Sequence, residues 1–572
     1  MQKTRSDPYV LIAVLTSTAA LLAGANGPGQ QAPTEPVAIH IDAGQPIGPM
    51  APMWAWFGYD EPNYTYMKDG KKLLTELAQL SPVPVYVRAH NLLTSGDGTP
   101  GLKWGSTNAY TEDANGRPIY NWTIVDRIMD TYVERQMKPL VEIGFMPEAL
   151  STKPEPYKHD WKPGLPYGRI YTGWTYPPKD YAKWGELVHQ WVKHSVERYG
   201  KREVESWWWE VWNEPDIAYW RGTPEEFQKL YDYAADGLKR ALPTARIGGP
   251  HVTGPNGERT QKILAGFIEH CLRGTNYATG KIGSPLDFVA FHAKGAPRIV
   301  DGHVRMGINN QLRAISNGFR ITASFPELKD IPIVIGESDP EGCAACSVAT
   351  NPENAYRNGT MYSSYTAAQI ARTYELADFH KVNLLGSVTW AFEFEDQPYF
   401  AGFRDLATNG IDKPVLNVFR MLGKMSGHRL RVRSDSAAPL EEIRDRGVRG
   451  KSDVYALAAR GARDLTVLVW NYHDDDVTAP AADVELTLDG VKNGAVTLTH
   501  YRVDGEHSNS YAAWLKMGSP QPPSAAQYKR LERAGQLAQI GSPKRARVDG
   551  GRLVEKFPLP RQGVSLLVIA SR

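Results

Sequence analysis

The 572-residue sequence has no strong excess of charge of either sign and no phosphate-binding glycine motif. Its 65 Lys and Arg residues nearly balance its 63 Asp and Glu residues, for a formal net charge of +2. This balance gives no reason to expect a nucleic-acid or acidic-polymer partner. Neither Gly-x-Gly-x-x-Gly after an early strand nor Gly-x-x-x-x-Gly-Lys-Ser/Thr occurs, so a nucleotide cofactor has no support.

Cysteine is scarce, with three residues that cannot all pair within one molecule. Cys343 and Cys346 form a Cys-x-x-Cys, which could be a small-loop disulfide in an exported chain. Cys271 falls in a helical pattern and looks buried. No second Cys-x-x-Cys and no His pair at zinc spacing accompanies them, so we expect no metal site.

Long apolar runs are missing after the N-terminal segment. No later stretch approaches the roughly 18 uninterrupted apolar residues of a membrane span. The N-terminus has Lys3 and Arg5, an apolar run from Tyr9 to Leu22 and then small residues, which predicts a signal peptide over 1–25. We therefore expect a secreted or periplasmic protein that is not held in a membrane, with a leader and one possible strand over 26–45.

Short apolar runs alternate with longer amphipathic segments over 46–427, which is typical of repeated βα units and a parallel sheet. The predicted strands are Met53–Phe57, Val83–Arg88, Pro139–Phe145, Val204–Trp212, Arg246–Gly248, Phe288–His292, Ile331–Gly336 and Leu384–Phe392. Thr223-Pro-Glu-Glu226 has the spacing of a helix capping box. The regular alternation predicts a (β/α)8 TIM barrel with enlarged loops rather than an open doubly wound sheet.

Residues 428–572 change to short alternating runs separated by Gly, Asp, Asn and Pro, which predicts an antiparallel β-sandwich domain. These runs are Val454–Ala459, Leu465–Trp470, Val484–Leu488, Ala495–Tyr501 and Val564–Ile569. Val37–Ile41, which precedes the barrel, alternates in the same way and could add a strand to this sandwich.

Two predicted barrel strands end in a glutamate. Ser206–Asp216 reads Ser-Trp-Trp-Trp-Glu-Val-Trp-Asn-Glu-Pro-Asp, and Pro215 cannot continue a central strand, so Glu214 lies where strand four ends. Glu337 ends strand seven in the same way, before Pro340. Because barrels build active sites at the carboxyl ends of their strands, the two acids should face each other there. Retaining glycosidases need such a pair, about 5 to 5.5 Å apart.

Further segments narrow the comparison. They are Phe57–Tyr64, Arg88–Leu93, Asp287–His292, Gly336–Pro340 and Thr389–Phe392. Together with Trp212-Asn-Glu-Pro215, they resemble glycoside hydrolase family 39, which belongs to the clan of (β/α)8 retaining glycosidases and is best known for β-xylosidases and α-L-iduronidases. The similarity continues to the end of the chain, because Asp504–Ser510 resembles that family's β-sandwich.

The resemblance implies a role for each matching residue at the strand ends. Glu214 would be the acid/base and Glu337 the nucleophile. Asn213 would bind the sugar 2-hydroxyl and His90 another hydroxyl, while His292 would lie beside the nucleophile. No cofactor or metal is implied, because two carboxylates suffice for the reaction.

The loops after strands six and eight carry the recognition of the sugar in this resemblance. Trp390 would form an apolar platform for the ring. Glu395 would bind hydroxyls, with Glu393 and Asp396 as alternatives in the same acidic loop. Lys294 stands where well-known family xylosidases have a Tyr, and it could contact the substrate or pair with an acid of the rim.

The expected function is that of a secreted, exo-acting retaining glycosidase. A β-xylosidase that releases xylose from xylo-oligosaccharides is the first expectation. An α-L-iduronidase, α-L-arabinosidase or β-galactosidase is the alternative, because Lys294 and the acidic loop lie where the sugar is recognised. A non-catalytic carbohydrate-binding protein is the alternative from another class. Glutamates without a matching motif, such as Glu210, are interpreted as solvated surface charges.

Overall fold

The computed structural model of the protein describes residues 36–390 and 392–571. The predicted signal peptide and the leader up to residue 35 lie outside the described residues. Within these ranges, no helix is long and apolar enough to span a membrane.

The barrel predicted from the alternating pattern is present. Eight parallel strands pair in chain order, and the eighth closes the ring by pairing with the first. Barrel strands one to eight are Trp56–Tyr59, Tyr86–Ala89, Lys138–Ile143, Trp208–Val211, Arg246–Val252, Phe288–Lys294, Pro332–Asp339 and Asn383–Trp390. The main helices that follow them are Lys68–Ala78, Thr123–Val133, Tyr181–Tyr199, Pro224–Ala241, Glu258–Arg273, Ile308–Ala323, Thr360–His380 and Pro414–Leu422. The prediction of a (β/α)8 barrel is confirmed.

Strand four is shorter than predicted. Lys201–Val204 is a short helix, and the strand spans Trp208–Val211 without reaching Trp212. Trp212 ends it because its φ of 71° is left-handed, which a pleated strand excludes. The next helix begins with the predicted capping box, in which Thr223 Oγ1 accepts from Glu226 N at 3.1 Å and Glu226 Oε2 accepts from Thr223 N at 2.8 Å.

The second domain is a ten-stranded sheet that is separate from the barrel ring. In hydrogen-bonded order its strands are Ala538–Gln539, Gly494–Val503, Val564–Ser571, Asp464–Tyr472, Asp453–Arg460, His428–Ser434, Val37–Pro49, Ala482–Asp489 and Arg552–Leu559, and Lys544–Val548 also pairs with Gly494–Val503. Val37–Pro49 is antiparallel to His428–Ser434 and parallel to Ala482–Asp489. The alternating segment before the barrel therefore lies inside this sheet. Helices Leu440–Arg446, Ser510–Lys516 and Ala525–Gly535 interrupt its sequence.

Alternation along the sheet gives it two apolar faces. In Asp464–Tyr472, Val467 and Val469 belong to a core that the sheet's own strands enclose. Leu468 and Trp470 point the other way, into the core shared with the barrel, where the helix after strand seven packs against the sheet. Burial of both faces stabilises the sheet and joins it to the barrel as one unit.

The βα loops at the carboxyl ends of the strands carry short extra elements. Three hairpins lie there: Tyr110–Glu112 with Pro118–Tyr120, Arg298–Val300 with His303–Arg305, and Ala407–Thr408 with Ile411–Asp412. The loop after strand three contains the 3₁₀ turns Glu148–Leu150, Tyr167–Ile170 and Gly173–Thr175. These loops enlarge the rim of the barrel on the side where such folds bind substrates.

Candidate active site

The carboxyl ends of the barrel strands surround a cavity of about 460 Å³. Glu214, just after strand four, and Glu337, in strand seven, both line it. One carboxylate oxygen of Glu214 and one of Glu337 lie within 4.8 Å of each other. The structure therefore brings the predicted acids together. Their separation is closer to the about 5 to 5.5 Å of retaining glycosidases than to the about 6.5 to 9.5 Å of inverting ones.

The turn after strand four directs Glu214 into the cavity. Trp212 and Glu214 have φ angles of 71° and 43°, which residues with a side chain adopt only at a cost in free energy. Trp212 Nε1 donates to the carbonyl of Tyr219 at 2.9 Å, and Glu214 N donates to the carbonyl of His251 at 2.9 Å. These bonds hold the strained turn, so the acid projects from a fixed backbone.

Glu214 keeps its proton near neutral pH. Burial, and then the charge of Glu337, raise the pKa of Glu214 to about 8. Its Oε1 lies 2.9 Å from His292 Nδ1. Burial lowers the pKa of His292 to about 3, so that ring is neutral. His292 thus holds one carboxyl oxygen of Glu214 without adding charge, and the other oxygen can meet a leaving group.

Glu337 is surrounded by positive groups. Lys294 Nζ bonds Oε2, Arg88 Nη1 donates to Oε1 at 3.0 Å, and His90 Nε2 lies 3.4 Å from Oε1. Burial raises the pKa of Glu337, but the charge of Lys294, the hydrogen bond from His90 and the charge of Arg88 together bring it well below its ordinary value. A carboxylate that stays anionic is the form that a nucleophile requires.

Arg88, fully buried in strand two, organises the floor of the site, a role that the sequence reasoning did not assign. Its Nη2 donates to Glu142 Oε2 and to Asn213 Oδ1, both at 3.0 Å. Its Nε donates to Glu210 Oε1 at 2.5 Å. The interpretation of Glu210 as a surface charge is therefore wrong, because Arg88 pairs it inside the barrel. A charged residue in an otherwise apolar strand was the available signal, since buried charges need partners.

Glu214, His292 and Glu337 also have side chains of types that bind metals, with one donor atom from each within 4.8 Å of the others. Lys294 and Arg88, however, already bond the two oxygens of Glu337. A divalent cation would face two positive side chains there, so the cluster is a poor metal site. The expectation of no metal stays a prediction.

Asn213 and Lys294 line the cavity beside the two acids. Because Arg88 binds the amide oxygen of Asn213, its amide nitrogen can donate to a substrate hydroxyl. Lys294 pairs with acids of the rim, because its Nζ bonds Glu337 and Asp339. Its side chain also lines the cavity, where it can contact a substrate. Their contacts with a sugar stay predictions.

His90, Trp390 and Glu395 lie outside the lining of the cavity. His90 is 2% exposed, behind the wall. Trp390 is 1% exposed, and its ring packs against His90 and lies 4.7 Å from the guanidinium carbon of Arg88, so it is not an open platform for a sugar. Glu395 Oε2 accepts from Asp69 N at 2.9 Å, at the N-terminus of a barrel helix that a carboxylate stabilises. The roles predicted for Trp390 and Glu395 are corrected accordingly, because both support the barrel.

Other lining residues were given no role in the sequence analysis. They include Asp60, Lys103, Tyr167 and Tyr219, which come from the loops after strands one to four. Cys343 also lines the cavity, and its disulfide to Cys346 is present, while Cys271 is a buried free thiol.

Comparison with known sequences decides the family. The profile of glycosyl hydrolases family 39 matches residues 37–551. The chain belongs to glycoside hydrolase family 39. In this family 39 chain both glutamates line the cavity at the strand ends, where the sequence resemblance placed them.

Individual relatives of this family 39 chain differ in substrate. It is 27% identical over 435 residues to a β-xylosidase of Caldicellulosiruptor saccharolyticus, with 74% of this chain and 78% of the relative covered. It is also 27% identical over 570 residues to an α-L-iduronidase of Mus musculus, with 94% of this chain and 81% of the relative covered. The solved family 39 enzyme from Xanthomonas axonopodis pv. citri superposes with a TM-score of 0.71 at 21% identity, over 94% of this chain and 98% of that one. This last likeness shows a shared fold.

The two shifted pKa values predict the pH dependence of this family 39 site. If Glu214 is the general acid, as the resemblance implies, it must carry its proton, and kcat/KM should fall as the pH rises through about 8. If Glu337 is the nucleophile, it must be anionic, and its lowered pKa should keep kcat/KM nearly constant down through the ordinary carboxylate range near pH 4.5. The measurement is kcat/KM against pH for a glycoside with a poor leaving group. A basic limb near pH 6, or an acidic limb at the ordinary glutamate value, would contradict these assignments.

Proposed function

We propose that this protein is a retaining, exo-acting glycoside hydrolase in which Glu337 is the nucleophile and Glu214 the acid/base. The observation that carries the proposal is the approach of the two carboxyl groups, with an oxygen of each within 4.8 Å. Family 39 membership supports the reaction class. The unequal environments support the roles, because the acid with the raised pKa can give a proton and the acid with the lowered pKa can attack.

In the first step, the Glu337 carboxylate attacks the anomeric carbon while Glu214 gives its proton to the departing glycosidic oxygen. The bond from the anomeric carbon to that oxygen breaks, and a glycosyl ester of Glu337 forms. Arg88 and Lys294 hold Glu337 in position for attack. The Asn213 amide can bond the sugar hydroxyl beside the reacting carbon, an interaction that strengthens as the ring flattens in the transition state.

In the second step, Glu214 acts as a base. Once Glu337 is esterified its negative charge is gone, so the electrostatic cause of the raised pKa of Glu214 is removed. Glu214 then takes a proton from water, whose oxygen attacks the anomeric carbon and releases Glu337 as a carboxylate. Two inversions at one carbon give net retention of configuration.

Lys294 is the cavity residue that bears most directly on the choice of sugar. Its ammonium bonds two carboxylates of the wall, and an ammonium has three protons to donate. A carboxylate on the sugar would be a fitting third acceptor, whereas a neutral pentoside needs no cation at this position. We therefore propose an α-L-iduronide or related uronide as the substrate that the geometry supports best, with the 94% coverage of this chain by the Mus musculus relative as further support. A β-xyloside is the second candidate, supported by the Caldicellulosiruptor saccharolyticus relative.

A panel of 4-methylumbelliferyl glycosides tests both candidates. We expect the highest kcat/KM on the α-L-iduronide, and Lys294→Met should lower it about 100-fold through loss of one charge-assisted hydrogen bond. Since Lys294 also holds Glu337, the β-xyloside rate should fall too, so the ratio of the two rates is the quantity to compare. Lys262→Met, at an exposed lysine, is the matched control and should leave the ratio unchanged.

Each other outcome of the panel has a definite meaning. Faster hydrolysis of the β-xyloside by the wild-type protein would favour the second candidate. An unchanged ratio in Lys294→Met would remove the argument for an acidic sugar. A folded wild-type protein without activity on any glycoside would favour a non-catalytic carbohydrate-binding protein.

A further inference from the structure

The acids after strand eight, where the family resemblance placed recognition of hydroxyls, are used elsewhere in the fold. Glu395 accepts from Asp69 N, as described above, and Glu393 is 1% exposed with its Oε1 bonded to Gly410 N at 2.5 Å. Asp396 is exposed and outside the cavity lining. Among the described residues that line the cavity, Asp60 is the acid other than the catalytic pair. A sugar in this cavity would therefore meet a different carboxylate from the expected one.

Asp60, just after strand one, is held from two sides. Its Oδ1 lies 2.9 Å from His90 Nδ1, and its Oδ2 forms an ion pair with Lys103 Nζ. A carboxylate can accept about four hydrogen bonds, so each oxygen keeps capacity for another donor. Rotation of the carboxylate would break both contacts, which makes Asp60 a preorganised acceptor.

Lys103 has contacts at both its backbone and its side chain. Its carbonyl accepts from His159 Nε2 at 2.8 Å, and its Nζ lies 5.4 Å from the centroid of the Tyr167 ring. Both Lys103 and Asp60 line the cavity with Tyr167 and Tyr219. The ammonium therefore presents a donor directly beside the acceptor of Asp60.

Asp60 stays anionic and Lys103 stays cationic near neutral pH. Burial raises the pKa of Asp60, but Lys103 and then His90 lower it to below its ordinary value. The pKa of Lys103 is raised well above its ordinary value by Asp60, Tyr167 and Glu61, against the opposing effect of burial. An anionic acceptor beside a cationic donor matches two neighbouring sugar hydroxyls, since each hydroxyl both donates and accepts.

We propose that Asp60 and Lys103 together bind two neighbouring hydroxyls of the terminal sugar and thereby select its configuration, in place of the acids after strand eight. The proposal rests on the proposed glycosidase function, because it requires a sugar in the cavity. His90 links the pair to the reaction, since its two nitrogens lie 2.9 Å from Asp60 and 3.4 Å from Glu337. A hydroxyl bound by Asp60 would thus be linked to the nucleophile through the side chain of His90.

A substrate–mutant cycle tests this assignment. The glycoside that the wild-type protein cleaves fastest is compared with its monodeoxy analogues, each lacking one ring hydroxyl, in the wild type and in Asp60→Asn. For an analogue lacking a hydroxyl held by Asp60, we expect a loss in kcat/KM of roughly 10- to 100-fold in the wild type. The same loss in Asp60→Asn should be less than about threefold, because the partner is already missing.

Glu395→Gln is the matched control, because it changes an acid outside the cavity. It should keep the full wild-type sensitivity to every deoxy analogue. The proposal is wrong if removal of each hydroxyl lowers kcat/KM by the same factor in Asp60→Asn as in the wild type. It is also wrong if Glu395→Gln no longer distinguishes the deoxy analogues from the parent substrate. Neither result would affect the glycosidase function. Wild-type inactivity on all glycosides would overturn the proposed function and this inference with it.

Asp60→Asn leaves the buried Lys103 without its anion and could unfold the rim. The double variant Asp60→Asn/Lys103→Met removes both charges together and serves as the second variant. It should show the same weak sensitivity to the deoxy analogue, and full sensitivity in a folded double variant would overturn the assignment. If the pair were merely structural, its removal would lower the rates on the parent and deoxy substrates by the same factor.

Discussion

Replacing Glu337 by glycine should lower kcat by about 10⁵-fold, because no covalent glycosyl-enzyme can form without this carboxylate. The variant leaves Arg88 and Lys294, which bond the two Glu337 oxygens, facing a space of the size of a small anion. Azide should bind between these cations and attack the anomeric carbon in place of the carboxylate. We expect rescued turnover and a glycosyl azide of inverted configuration, measured with an aryl glycoside and NMR of the product.

Glu395→Gly is the matched control for this experiment, since it removes an equal side chain outside the cavity. It should retain kcat within a few-fold of the wild type. Circular dichroism and thermal unfolding establish that Glu337→Gly is folded. Wild-type activity in Glu337→Gly, or an azide product of retained configuration, would show that Glu337 is not the nucleophile.

Replacing Glu214 by alanine should separate substrates by their leaving groups. With a poor leaving group, kcat/KM should fall by about 10²- to 10⁴-fold, because general acid assistance is lost. With 2,4-dinitrophenolate, which leaves without a proton, kcat/KM should change little. The second step still lacks its base, so kcat should fall and the glycosyl-enzyme should accumulate as a pre-steady-state burst.

The same variant distinguishes Glu214 from a merely structural residue. Azide should accelerate its second step and give a glycosyl azide of retained configuration. Glu225→Ala, in the first turn of the next helix, changes a nearby acid outside the cavity and should behave as the wild type. An equal loss of kcat/KM for all leaving groups would contradict the acid/base role.

The positions of the two acids could be predicted because they depend on local features. Pro215 and Pro340 follow their strands within a few residues and limit how far each strand can continue, and the carboxyl ends of parallel strands meet at one side of a barrel. Glu214 and Glu337 therefore reach the same cavity whatever the details of the loops. Only the strained turn at Trp212, which shortens strand four, escaped the local pattern.

The charge network under the acids could not be predicted in the same way, because it depends on strand register. Glu142 and Glu210 are direct register partners in strands three and four. Two like charges at such positions repel each other, so they need a cation between them. Arg88 supplies it from strand two, bonding one oxygen of each. The sequence of each strand shows only one charged residue in an apolar run and does not show which charge lies beside it in the sheet.

The side chains after strand eight escaped prediction because a strand-end motif does not give the direction of its side chains. Trp390 fills space left by Gly58 in the neighbouring strand, where a Cβ would overlap the indole. Glu395 finds its partner at Asp69, which lies 326 positions earlier in the chain. Asp60 was given no role from the sequence, because its partners Lys103 and His90 come from other parts of the chain.

The anomeric configuration of the first product tests the central claim most directly. Proton NMR during hydrolysis of the preferred aryl glycoside by the wild-type protein records which anomer forms before mutarotation. The close pair of Glu214 and Glu337 predicts that the anomer with the configuration of the substrate appears first and the other follows slowly. Initial appearance of the opposite anomer would contradict the double displacement and the roles of both glutamates.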